Sequence, residues 1–296
     1  MKKIAIALGG GGARGSAHIG VLKVLEAEGY EIAAVAGTSI GGLVGAIYAA
    51  GYSPDEIEKI FSEIDQNKIY ELGLRSQPAL LGLGKIGEWL SELLGEKSFD
   101  ETRIPCALTA ADLHSNGEVI LQTGALKDAI MATIAVPGIF PPYRMKDGHI
   151  LVDGGVLNPV PVSVARQLAP DLPVVAVSLS QPLVPTASYH LPLSLPSVIP
   201  ESLVRRITRM NVAQAMNVFL RSVDMSNRAI TEFRLKNEPP DVLIRPDVAG
   251  IGLLDKVVVP ELARVGEEAA RAVLPELAEA TQPKGFFSKL FKRKNG

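Results

Sequence analysis

The stretch Val35-Ala36-Gly37-Thr38-Ser39-Ile40-Gly41 is an apolar run that ends in a serine with glycine two residues to either side. This G-x-S-x-G spacing lets a strand meet a helix in a sharp, strained turn that pushes the serine hydroxyl out of the sheet. Downstream, Ile40 to Ala50 holds only small, apolar or uncharged residues, Gly41, Gly42 and Gly45 among them. A helix of that kind is buried on most sides. Its first N–H groups and the positive end of its dipole point back at the serine. Ser39 therefore has the setting of a nucleophile.

Working outward, Lys3 to Leu8 reads as a short apolar strand that runs directly into Gly9-Gly10-Gly11-Gly12-Ala13-Arg14-Gly15. A helix follows, with His18, Val21, Leu22 and Leu25 on one face. Ala33 to Gly37 is the second strand, and Ser53, Pro54 and Glu56 open a further helix with a capping box. This alternation predicts a three-layer α/β/α sandwich around a mostly parallel sheet. Ile104 to Leu113 and Glu118 to Gln122 read as a hairpin, turning at Ser115-Asn116-Gly117. Lys127 to Ala135 reads as a helix, His149 to Asp153 and Pro173 to Leu179 as strands, and Glu201 to about Glu232 as a long helix. Val242 to Ile244 is a last strand, and Asp255 to Ala280 a closing helix interrupted near Pro275. Residues 66–103 are less regular and read either as a helical insertion packed on the core or as a cover over a site. The proline-rich stretch 181–200 reads as a long loop and a second possible cover. One domain over residues 1–280 and a tail over 281–296 are expected.

Composition narrows the function classes. The chain has 296 residues, 47% hydrophobic and 21% charged, enough for a large core. A formal net charge of -2 gives no overall attraction to nucleic acid. The one cysteine, Cys106, excludes an internal disulfide and fits a reducing, cytoplasmic compartment. The apolar run after Lys2-Lys3 is too short for a secretion signal. Ile32 to Pro54 has spanning length, but its glycines mark a buried strand, turn and helix instead. Lys284 to Gly296 is different in kind. It holds four lysines and Arg293 with no acid, and a helix would place Phe286, Phe287, Leu290 and Phe291 opposite the cations. That pattern reads either as a short polar tail or as a segment lying on the anionic inner face of a membrane.

The glycine loop also satisfies G-x-G-x-x-G, the pattern that holds a dinucleotide. That use needs an acidic residue at the end of the second strand, where this chain has Gly37-Thr38-Ser39. Successive glycine N–H groups suit an oxyanion equally well, because they donate without side-chain bulk. A loop for an oxyanion beside an elbow for a serine specifies acyl transfer.

A nucleophilic serine needs a base. His18 lies on the packed stripe of its helix, and His114 sits in a turn. His149 is four extended residues from Asp153, over ~10 Å at about 3.3 Å per residue. His190 alone follows Asp153, in the order an α/β-hydrolase triad requires, but nothing fixes it in the proline-rich loop. Asp153 ends an apolar strand, the place where α/β sheets put their sites, and Gly154-Gly155 let backbone approach it. A partly desolvated carboxylate can take the serine proton itself.

Three motifs in order, Gly10-Gly11-Gly12-Ala13-Arg14-Gly15, Gly37-Thr38-Ser39-Ile40-Gly41 and Asp153-Gly154-Gly155, resemble those of the patatin-like phospholipase family. Ala17 to Leu22 and Pro137 to Pro142 extend the resemblance over residues 4–162. It implies a Ser–Asp dyad with Ser39 as nucleophile and Asp153 as proton acceptor. The N–H groups of Gly10, Gly11 and Gly12 would form the oxyanion hole, with Ile40 as a further donor. Arg14 would hold the loop or touch a lipid headgroup. The implied activity is hydrolysis of phospholipid, lysophospholipid or other fatty-acyl esters, with no metal or cofactor. A binding module that kept the fold without the chemistry is the rival expectation.

Overall fold

In the computed structural model, residues 2–64, 84–182 and 201–282 are described; in the long helix the side chains considered are 218, 219 and 221 onward. His190, residues 66–83 and 183–200 of the two expected covers, and the basic tail over 284–296 lie outside these residues.

Among the described residues eight strands form one sheet: β1 Lys2–Leu8, β2 Tyr30–Thr38, β3 Cys106–Asp112, β4 Gly117–Leu121, β5 Tyr143–Arg144, β6 Ile150–Asp153, β7 Val174–Val177 and β8 Val242–Ile244. Their order is β5-β6-β3-β2-β1-β7-β8, with β4 also on β3. The run β3-β2-β1-β7-β8 is parallel throughout. The β4, β5 and β6 pairings are antiparallel.

Side-chain size sorts the two faces of the sheet. Ile4, Ile6 and Leu8 of β1 point to one core, and Ala5 and Ala7 to the other. The large face is covered by α1 Ser16–Ala27, α2 Ile40–Ala49, α3 Pro54–Glu63, α4 Gly84–Leu94 and α5 Leu126–Thr133. The alanine face takes α6 Val162–Leu168 and Leu235, near the end of α7 Glu201–Asn237. With α8 Val259–Ala272 and α9 Leu274–Ala280 this completes the three-layer α/β/α sandwich.

Local chemistry accounts for the element ends. The Ser53 and Glu56 capping box starts α3 as expected, and Pro275 separates α9 from α8. The long helix runs five residues beyond Glu232, where Leu235 packs on the alanine face of the sheet. No helix among the described residues is long and apolar enough to cross a membrane. Ile32 to Pro54 becomes β2, the buried α2 and the start of α3.

Candidate active site

Two strands meet head to head beside the glycine loop. Leu108 and Thr109 of β3 pair with Gly37 and Thr38 of β2 and also with Leu121 and Ile120 of β4, so β2 and β4 occupy opposite edges. Ala110 to Asp112 pair with β4 and with β6, which leaves β6 on the same edge as β2. Thr38 is opposite Thr109, and Asp153 is opposite the next residue, Ala110. The strand carrying Ser39 thus ends where the strand carrying Asp153 ends, from the other direction. Asp153 closes its strand as expected, and that strand, β6, runs antiparallel to β3 and to the edge strand β5.

Ser39 sits at the elbow with φ 56° and ψ −126°, backbone that L-residues rarely adopt. Neighbouring bonds hold it there. Its N–H donates to Thr133 Oγ1 at 2.8 Å, and the Thr133 hydroxyl donates to the Thr109 carbonyl at 2.7 Å. Thr38 Oγ1 donates to the Asn158 carbonyl at 2.8 Å, so its 2.7 Å contact with Thr109 Oγ1 is one in which Thr109 donates. Gly41 backs onto the Leu8 and Gly9 carbonyls so closely that a Cβ there would overlap them. That contact brings the glycine loop against the elbow.

Asp153 is buried, and its N–H is tied to the Ala135 carbonyl at 2.9 Å. One carboxylate oxygen accepts the Gly155 N–H at 2.7 Å, and the Ser39 side chain is in hydrogen-bonding reach of the group. Burial pushes its pKa up to about 6, against the opposing pull of the bonds from Ser39 and Gly155. Gly154 packs on Thr109 with no room for a side chain.

In the glycine loop the donors differ. The Gly10 N–H is taken by the Pro159 carbonyl at 2.9 Å, and the Ala13 N–H by the Leu253 carbonyl at 2.9 Å. Gly10 thus anchors the loop rather than offering a free donor, a correction to the expected set. Between them, Gly11 and Gly12 have no partner for their N–H among the described residues, and both line the cavity beside Ser39. Gly12 has φ 58° and would place a Cβ into the Leu253 backbone, so only glycine fits there. Ile40 also lines the cavity, at the first turn of α2, where N–H groups have no helical partner. Gly15 is packed on the Ile40 side chain, and Gly37 on Gly41 and Gly42.

Arg14 is buried and points away from solvent. Its Nε donates to the Ile251 carbonyl at 2.7 Å, and its Nη1 reaches Asp224 at 3.0 Å. Arg228 holds the other oxygen of Asp224 at 2.7 Å. The guanidinium stitches the loop to α7 and to the 251 segment.

The described histidines are elsewhere. His18 is fully buried, its Nε2 is 2.7 Å from the Gly9 carbonyl, and burial pushes its pKa down to about 4. It is therefore neutral and donates to that carbonyl. His149 Nδ1 rests on Asp112 at 3.1 Å, and His114 is exposed. Among the described residues no imidazole bonds to Ser39 or Asp153. Thr133, Thr38 and Asn158 are site residues that sequence reading missed. For Thr133 the available signal was its place at the end of a helix shortly before Pro137-Gly138.

Ser39 and Asp153 open on a cavity of about 850 Å³ with mostly apolar walls, including Phe61, Trp89, Leu93 and Phe140. Asp224, Asn227 and Asp255 give it a polar end. The arrangement is a serine, a carboxylate of raised proton affinity, free main-chain donors and an apolar chamber.

Comparison with known proteins shows the fold and the family. The crystal structure of VipD from Legionella pneumophila superposes with a TM-score of 0.58 at 13% identity, covering 95% of this chain and 67% of that one, and so shares its fold. An NTE family protein of Mycobacterium bovis is 38% identical over 180 residues, which are 60% of this chain and 49% of that protein. The chain thus spans about half the length of this curated relative. Patatin-like phospholipase domain-containing protein 6 of Mus musculus is 33% identical over 171 residues, 56% of this chain and 13% of that protein. The family model described as patatin-like phospholipase matches residues 6–166, more than half of the chain, and the chain belongs to that family.

Proposed function

We propose that the protein is a serine acyl hydrolase acting on phospholipids, lysophospholipids or related fatty-acyl esters. The observation that carries this reading is the burial of Asp153 within reach of the Ser39 hydroxyl, beside the unpartnered N–H groups of Gly11 and Gly12.

Ser39 Oγ attacks the ester carbonyl carbon while its proton passes to an Asp153 oxygen. The carbonyl oxygen becomes an oxyanion facing Gly11 and Gly12, with Ile40 as a third donor. The tetrahedral species collapses, the C–O bond to the alcohol breaks, and Asp153 returns its proton to the leaving oxygen. Water then attacks the acyl-enzyme with Asp153 again as base, and the fatty acid leaves with Ser39 restored. A carboxylate with a pKa of about 6 suits both directions of proton transfer near neutral pH. In this reading residues 1–280 are the hydrolase domain, and the basic segment beyond it attaches the enzyme to an anionic membrane.

The test is hydrolysis of a panel of phospholipids, lysophospholipids and simple acyl esters by wild type beside Ser39→Ala. Turnover by wild type that disappears in the variant supports the reading. Equal turnover by both refutes it.

A further inference from the structure

The cavity has two unlike ends. Toward α7 and the 251–257 segment it carries Asp224, Asn227 and Asp255. Between α3 and α4 its walls are Ile60, Phe61, Ile86, Trp89 and Leu93, with the Phe61 and Trp89 rings edge to face at 6.5 Å, and the exposed Glu63, Lys85 and Glu92 also border it.

Helix pairings give the apolar arm its direction. The end of α5 is at the nucleophile, because Thr133 accepts the Ser39 N–H. Gly87 of α4 faces Met131 of α5, whereas Ser91, one turn later, bonds Lys127, one turn earlier. The two helices are antiparallel, so α4 leads away from Ser39 as its numbers rise. Leu93 is farther still, and its carbonyl accepts the Tyr52 hydroxyl at 2.7 Å. Tyr52 follows the far end of α2, the helix that begins at Ser39. Ile86 therefore stands at the serine end of the arm and Leu93 at its far end, about 10 Å along the axis at 1.5 Å per residue.

An alkyl chain gains by leaving water but offers nothing to a carboxylate or amide, whereas a glycerol or headgroup loses by entering an apolar slot. We infer that the arm between α3 and α4 receives the acyl chain of the substrate, with Phe61 and Trp89 as its sides and Leu93 as its floor. Leu93 is then the residue that sets acyl-chain length, and the alcohol portion lies toward Asn227. This inference rests on the hydrolase reading above.

The experiment measures kcat/KM for p-nitrophenyl esters from butyryl to palmitoyl, each series normalised to its own butyryl value. In wild type the value rises about fourfold per added methylene while the arm fills, then levels off. Leu93→Trp raises the floor and moves the levelling point to shorter chains. Leu93→Ala deepens it and moves that point to longer chains, which gives a second reading should the larger residue misfold. Normalised series for both variants that superimpose on wild type overturn the inference, as does a wild-type series that is flat. Absence of any Ser39-dependent butyryl hydrolysis in wild type would instead overturn the hydrolase reading itself.

Discussion

Thr38 and Asp153 stand in succession along one edge of β3, opposite Thr109 and Ala110, on strands that arrive from opposite directions. More than a hundred positions of chain separate them, yet the ladder leaves each no other place. Ser39, one residue past Thr38, holds a positive φ at the turn. The placement of these two strand ends is thus a property of the sheet rather than of a flexible loop.

Activity should follow one ionisation. Asp153 works as a base only when ionised, and its pKa is raised to about 6. The expected profile of kcat/KM rises through about pH 6 and is flat above it, with no histidine limb. A pH–rate series on a soluble ester checks this. A profile already flat from pH 4 upward would contradict a raised pKa.

Stability should run the other way. A carboxyl whose folded pKa lies above its unfolded value stabilises the fold below the unfolded value, near 4, and loses that contribution as pH climbs through about 6. The loss is on the order of 3 kcal/mol, from about two pH units at ~1.4 kcal/mol each. Asp153→Asn removes the ionisation and keeps an acceptor for the Gly155 N–H. Urea midpoints should show the variant at least as stable as wild type at pH 8, and nearly inactive.

Thr133 is expected to position the elbow. Thr133→Val leaves the buried Ser39 N–H without its acceptor, a cost of about 1–3 kcal/mol. The variant should lose kcat with KM little changed, and Thr133→Ser, which keeps the hydroxyl, should restore it. A rise in KM alone would place Thr133 in binding instead.

Arg14 should not tolerate lysine. Its Nε and Nη1 reach two partners on separate segments, Ile251 and Asp224, and a single ammonium cannot span both. Arg14→Lys should lower the melting temperature and reduce kcat several-fold by loosening the loop that holds Gly11 and Gly12. Wild-type values for both would show that the loop needs no such brace.

Deleting residues 284–296 should weaken binding to anionic vesicles and leave hydrolysis of a soluble ester unchanged. Five cations and no acid beside three phenylalanines suit an anionic interface. Equal vesicle binding by both forms would remove the membrane role from the tail.

Local pattern made much of the fold legible. The elbow, α2, the capping box at Ser53 and the strand Val242–Ile244 each rest on neighbours in sequence, and each is found as read. Ser39 and Asp153 stood out because glycine flanks a polar residue at the end of an apolar run. The rest depends on partners far along the chain. The antiparallel direction of β6 is set by pairing with β3, and the engagement of the Gly10 N–H by Pro159 is invisible from the loop itself. Arg14 carries no local sign that Asp224 and Ile251 lie within its reach.

The central claim is that Asp153 activates Ser39 directly. Its most direct measurement is the rate of covalent labelling by a fluorophosphonate, with the modified residue located by mass spectrometry, in wild type, Asp153→Asn and His190→Ala. The account predicts a single label on Ser39, slowed about a hundredfold or more by Asp153→Asn and unchanged by His190→Ala. Labelling at another residue, or a rate untouched by Asp153→Asn and lost with His190→Ala, would contradict it.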